Sequence, residues 1–164
     1  VLKYYNKNEI LELFKYISPN SAVHQELRSR NVIRTKNLVG DIGEYYVEKI
    51  FNNTPNLPNL TRPGAGVKNV DFLGRNGKIY SVKTKTSRVG VTGSFWNPDS
   101  IKNNVKTFDY LLIVILDNYY QLDIILELSW DEFFIHKSFN KRMNNFNISV
   151  TKKLLGTVKH VYDR

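Results

Sequence analysis

With 164 residues the chain has the length of one domain with its own hydrophobic core, and 24 Lys and Arg against 15 Asp and Glu give a formal charge of +9, which favours a polyanionic partner, nucleic acid first. The absence of cysteine excludes disulfides, thiolate zinc sites and cysteine nucleophiles. The longest purely apolar run, Leu111 to Leu116, is too short to cross a bilayer, the basic residues do not line one amphipathic helix, and the N-terminus lacks a signal-peptide layout, so a soluble cytoplasmic protein with no membrane partner is expected.

In chain order, Ile10, Leu11, Leu13 and Phe14 recur at helical spacing and predict a helix from Asn6 to Tyr16, stopped by Ser18-Pro19. Residues Ser21 to Arg30 predict a second, polar helix. In "LVGDIGEYYVEKIF", Leu38 to Phe51, the rows Leu38, Ile42, Tyr46, Ile50 and Val39, Val47, Phe51 make a wide apolar stripe, the mark of a core helix. Glu44 sits on an apolar row with Gly40, Val47 and Phe51. It either points to solvent at the rim with Asp41 and Glu48 or is buried, and then it needs a cation, a donor or a metal. Gly40 and Gly43 would let this helix approach a sheet closely. Residues 52 to 66, rich in Asn, Pro and Gly, predict a loop.

"NVDFLGRNGKIYSVKTKT", Asn69 to Thr86, predicts a β-hairpin, and its loop length decides which side chains share a face. A two-residue Asn76-Gly77 turn sets Asp71 opposite Val82 and sends Lys83 to the other face. A three-residue loop, Arg75 to Gly77 with Gly77 in the left-handed region, pairs Gly74 with Lys78 and sets Asp71 opposite Ser81, with Lys83 on the same side of the pleat. The second register also collects Val70, Phe72, Tyr80 and Val82 into the better apolar face, and it is the one expected.

Residues 87 to 98 predict a Gly, Ser and Thr loop, and Pro98 to Lys106 a short helix with Pro98 in its first turn. "DYLLIVIL", Asp109 to Leu116, predicts a strand buried on both faces, and Asp117-Asn118 turns it toward "YYQLDIILEL". Ser129 and Glu132 form a capping box for a helix over "WDEFFIHKSF", and the basic tail is expected to end in a helix after Ser149. The sum is a single α/β domain over residues 1–164, with helices flanking a mixed sheet of four or five strands.

Binding candidates are spread over two stretches. "TKTSRVGVTGSFW" offers Lys85, Thr86, Arg88 and Ser94 for backbone phosphates on a flexible loop, while Phe95 and Trp96 either stack on bases or join the core. Lys137, Lys141, Arg142 and Asn144 form a second basic cluster, suited to base edges or to a solvated face. His24, His136 and His160 are far apart and lack the sequence context of a zinc site.

A glutamate on a core helix, an aspartate on one strand and a lysine two residues past the facing position of the next form a known constellation. Through "GDIGEYYVEKIF", "NVDFLG" and "YSVKTKT" the chain resembles the PD-(D/E)xK nuclease superfamily, firmly over residues 38 to 86, and the whole chain is similar to small restriction-endonuclease-like proteins. The resemblance implies a restriction-endonuclease-like core and a Mg²⁺-dependent double-stranded DNA endonuclease of restriction type. Such an enzyme is dimeric, to cut both strands, and can have a companion DNA methyltransferase. It implies Glu44, Asp71, Ser81 and Lys83 as the catalytic set, with Asp71, Glu44 and the backbone carbonyl of Val82 as metal ligands and Lys83 orienting the attacking water. Val70 replaces the usual proline and Ser81 the usual acid. Because a hydroxyl is a poor Mg²⁺ ligand, Glu44 would supply the missing charge, as in the similar Ser-x-Lys arrangement of CCGG-type restriction enzymes, with Asp99 a weaker substitute. The alternative that Ser81 raises is a nuclease-fold DNA-binding module with little or no activity.

Overall fold

The computed structural model describes residues 21–64, 70–95 and 97–164. The helix expected over Asn6 to Tyr16 and the stacking candidate Trp96 lie outside these residues. The first described element, α1 (Ala22–Ser29), begins where the Ser21 hydroxyl accepts the His24 N–H. In α2 (Leu38–Asn53), the Asn37 side chain caps the Gly40 N–H, and Ile42, Gly43, Val47 and Phe51 are buried. Asp41, also buried, accepts the backbone N–H groups of Arg34 and Thr35 at 2.7 and 2.5 Å, which pins the incoming loop to the helix start.

The chain continues through β1 (Leu60–Thr61), β2 (Phe72–Gly74), β3 (Ile79–Lys85), β4 (Gly90–Val91), α3 (Pro98–Lys102), β5 (Tyr110–Leu116) and β6 (Leu122–Ser129). It ends with α4 (Trp130–His136), β7 (Lys137–Asn140), β8 (Asn145–Val150), α5 (Lys152–Leu155) and β9 (Lys159–Asp163). Six strands form one mixed sheet in the order β1-β2-β3-β5-β6-β9, with only β3 and β5 parallel, and β4-β8-β7 form a second sheet. One face of the large sheet carries Tyr80, Val82, Leu112 and Val114 against Val47 and Phe51 of α2. The other carries Leu111, Ile113 and Ile115 against Ile101, Trp130, Phe133 and Ile148. β5 is thus buried on both sides, as its unbroken apolar run predicts.

Four expectations are corrected. Among the described residues the sheet has six strands, not four or five, because Leu60–Thr61 extends the hairpin edge and the tail returns as β9 beside β6. The helix after Ser129 keeps its capping box but stops at His136, where Lys137 turns extended (φ −64°, ψ 144°) and pairs with Ile148. The tail forms only the four-residue α5 before Gly156, so the chain ends in a strand and not a helix. Likewise α3 stops at Lys102, short of Lys106, and Asn104 follows in the left-handed region (φ 52°).

α2 lies tightly on β3. A Cβ built on Gly43 would meet Thr84 Oγ1 at 1.9 Å and Cγ2 at 2.6 Å. The close approach that the two glycines suggested is therefore made at Gly43; at Gly40 the nearest atoms belong to its own cap, Asn37. Gly43→Ala is expected to cost about 1–3 kcal/mol of overpacking, read as a lower Tm, with partial recovery in Gly43→Ala/Thr84→Ala. Recovery is helped because Thr84 Oγ1 is buried without a hydrogen-bond partner among the described residues.

Candidate active site

The hairpin adopts the three-residue loop. Phe72 pairs with Tyr80 and Leu73 with Ile79, the Gly74 N–H donates to the Lys78 carbonyl at 2.9 Å, and Gly77 takes φ +74°. Asp71 therefore falls opposite Ser81, and its own N–H donates to the Tyr80 carbonyl at 3.2 Å.

β2 is short, and its late start, after Asp71, makes the site. The N–H and C=O of Val82 point to the same side of β3 as those of Tyr80, toward a neighbour strand that begins only at Phe72, opposite Tyr80. Asp71 fills the gap with its side chain: Oδ2 accepts the Val82 N–H at 2.6 Å and the Ser81 hydroxyl at 3.1 Å. Both donors converge on that one oxygen, and Oδ1 accepts no hydrogen bond from the described residues. Ser81 is 7% exposed, so its hydroxyl serves Asp71 and not solvent.

Lys83 lies two residues beyond Ser81 on the same face and joins two cavities. One, about 240 Å³, is lined by Asp71, Ser81, Lys83, Ser94, Asn97 and Phe108 among others. The second, about 450 Å³, is lined by Glu44, Asp71, Val82, Lys83, Thr84 and Ser94 among others. Asp71, Ser81 and Lys83 thus share one face, as the register requires. Glu44 reaches the same cleft from the opposite face of the sheet, around the edge left open before β2 begins. The Lys83 ammonium stands 5.0 Å from the centre of the Phe95 ring and has no ion pair with a described acid.

Glu44 is neither of the two extremes considered from sequence, since its side chain is 21% exposed and engaged by two arginines. Arg34 Nη2 donates to Glu44 Oε2, and Arg62 Nη1 donates to the same oxygen at 3.3 Å while its Nε donates to Glu48 at 2.8 Å. Burial raises the Glu44 pKa, repulsion from Asp71 adds to the rise, and Arg34 and Arg62 oppose it. Neither arginine is predictable from sequence, because they lie 10 and 18 residues from Glu44 and are delivered by loops.

The other candidates divide. Ser94 lines both cavities and accepts from Asn145 Nδ2 at 2.8 Å, a contact from the buried start of β8 that no sequence signal marked. The segment after Thr86 is not a free loop: Gly90 and Val91 pair with Val150 and Ser149, and Phe95 bridges Phe146. Phe95 is core, 4.8 Å from the Phe133 ring. Thr86 is exposed at the end of β3. Lys85 donates to the Val89 carbonyl at 2.8 Å, and burial lowers its pKa. Arg88 is turned to Asp123, which it grips with two hydrogen bonds of 2.6 and 2.7 Å. Lys141, Arg142 and Asn144 are exposed on the β7–β8 turn, and Lys137 is folded over the Phe134 ring. Asp99 is 91% exposed and lines neither cavity. His24, His136 and His160 stand on separate elements.

The Arg88 pair makes a stability prediction. Its hydrogen bonds hold the Asp123 pKa below the ordinary value, so the pair's contribution is present above the usual Asp range and is lost as pH falls through the depressed pKa. Arg88→Ala is expected to lower Tm at pH 7, and the deficit should shrink as pH drops below about 3.8, checked by thermal unfolding at pH 7 and pH 3.

No protein-family model and no curated protein matches the chain. Among the described residues no helix is long and apolar enough to cross a membrane, and no group of three or more His, Cys, Asp and Glu could hold a metal. An ion in this cleft would therefore rest on two carboxylates, backbone and water.

Proposed function

We propose that the chain is a Mg²⁺-dependent double-stranded DNA endonuclease of restriction type, a member of the PD-(D/E)xK superfamily acting in the cytoplasm as a homodimer, with a DNA methyltransferase as its natural companion. The observation that carries this reading is the meeting of Glu44, Asp71 and Lys83 on one cavity just before β2 begins, with the Ser81 hydroxyl donating to Asp71. The donor set fits a hard cation. Asp71 Oδ1 is uncommitted among the described residues, the Val82 carbonyl faces the same gap, and Glu44 brings a second carboxylate.

When bound, Mg²⁺ supplies Lewis-acid polarisation of the phosphate and a lower pKa for a coordinated water. The protein's own part is positional. Asp71 is held by the Val82 amide, Lys83 offers the phosphate oxygens a positive charge that no acid among the described residues pairs, and orients the attacking water, and the +9 net charge draws the DNA in. A DNA-binding module without cleavage is the second reading; it is favoured by Ser81 in place of an acid and by the two arginines already on Glu44.

Thermal unfolding in EDTA and in Mg²⁺ tests the site itself. Mg²⁺ at a hundred times its Kd should stabilise the protein by about 2.7 kcal/mol, or roughly 5–10 °C in Tm, and Asp71→Asn should remove the shift. A wild-type Tm that ignores Mg²⁺ and Mn²⁺ would reject the metal site.

A further inference from the structure

The pairing of Arg34 and Glu44 has a meaning beyond charge balance if Glu44 is a metal ligand, the reading on which this inference rests. A carboxylate that coordinates a divalent cation cannot keep a guanidinium on the same oxygen, because the two positive charges repel and compete for one lone pair. The two arginines on Glu44 differ in what they lose. Arg62 also holds Glu48 at 2.8 Å and lies 5.4 Å from the centre of the Phe72 ring, with its side chain 18% exposed. It stays in place without Glu44. Arg34 has Glu44 as its one acid among the described residues, its side chain is 42% exposed, and its backbone N–H is fixed to Asp41. The backbone is anchored, the guanidinium can move, and the carboxylate it holds lines the cleft together with Asp71 and Lys83.

The charges around the cleft point the same way. Asp41, Glu44, Glu48 and Asp71 offset Arg34, Arg62 and Lys83, so without a cation the cleft has no positive excess for a polyanion. A cation on Glu44 and Asp71 reverses that balance and releases a planar, bidentate donor suited to a phosphodiester. We propose that Arg34 is a DNA phosphate-binding residue whose guanidinium is exchanged from Glu44 to a backbone phosphate when the metal site fills, so that cation and DNA bind cooperatively. The coupling is reciprocal.

Two measurements test this. First, without DNA, Arg34→Gln should bind Mg²⁺ at least about threefold more tightly than wild type by isothermal titration, since the competing cation is gone. Second, in a Lys83→Ala background that slows turnover, adding Arg34→Gln should weaken duplex binding about tenfold in Mg²⁺ and less than twofold in EDTA. The log–log salt slope in Mg²⁺ should fall by about one. Arg34→Lys, which keeps the charge, should recover part of the affinity and guards against a folding defect, as does an unchanged Tm in EDTA. Unchanged or weaker Mg²⁺ binding by Arg34→Gln overturns the exchange, as does an equal loss of DNA affinity in EDTA and in Mg²⁺. A wild-type protein that binds no Mg²⁺ at all overturns the metal reading with it, so the two failures are told apart by the wild-type titration.

Discussion

Lys83→Ala is expected to lower the rate of DNA cleavage at least about a hundredfold, roughly 2.7 kcal/mol of transition-state stabilisation, while changing DNA affinity far less. The reason is its setting. Lys83 has no acid partner among the described residues, lines both cavities and rests beside the Phe95 ring, so its charge is held where phosphate oxygens would accumulate charge. Little of the fold depends on it. Single-turnover cleavage and equilibrium binding, measured on the same duplex, separate the two effects. Equal losses in both would reduce Lys83 to a phosphate contact.

Glu44→Gln is expected to abolish Mg²⁺-dependent cleavage and yet leave the metal-free protein as stable as wild type, or more so, at neutral pH. Burial and the neighbouring Asp71 raise the Glu44 pKa above its ordinary 4.5 despite two arginines. The folded state then holds a proton that the unfolded chain has already released, so stability falls as pH rises from about 4.5 through the raised value. Removing the charge removes that slope. Thermal unfolding in EDTA from pH 4 to 8 should show a flatter profile for Glu44→Gln, and cleavage assays on the same samples should show none. Ser81→Ala should be mild beside it, since the Val82 amide still holds Asp71 Oδ2 at 2.6 Å. Cleavage that survives Glu44→Gln and disappears in Asp99→Ala would move the second ligand to α3.

The hairpin register was legible because two constraints agree. Gly77 permits the left-handed turn, and only that register gathers Phe72, Tyr80 and Val82 on one face. α2 and β5 were legible for a similar reason, each being long enough to repeat its period. β1, β4 and β7 have two, two and four residues, too few for alternation to show, and exist because a neighbour strand offers partners. β7 follows α4 with no breaker between them. β9 is hidden by the basic residues around it. At the site, Asp71, Ser81 and Lys83 follow from local register, and the apolar row of Glu44 leaves two readings, a rim residue facing solvent or a buried one that needs a cation, a donor or a metal. Which cations meet it does not, because Arg34 and Arg62 arrive through tertiary packing. The same holds for Arg88, whose partner Asp123 is 35 residues away; as a sequence feature it reads as a phosphate contact on a loop.

The claim that the cleft of Glu44, Asp71 and Lys83 is a metal-dependent nuclease site is tested most directly by incubating the protein with unmethylated phage DNA in Mg²⁺, with EDTA and Asp71→Ala as controls. Discrete fragments in Mg²⁺ alone, absent in EDTA and with Asp71→Ala, are the predicted result. Wild-type protein that shifts the DNA in a binding assay but leaves every substrate intact in Mg²⁺ and in Mn²⁺ would contradict it.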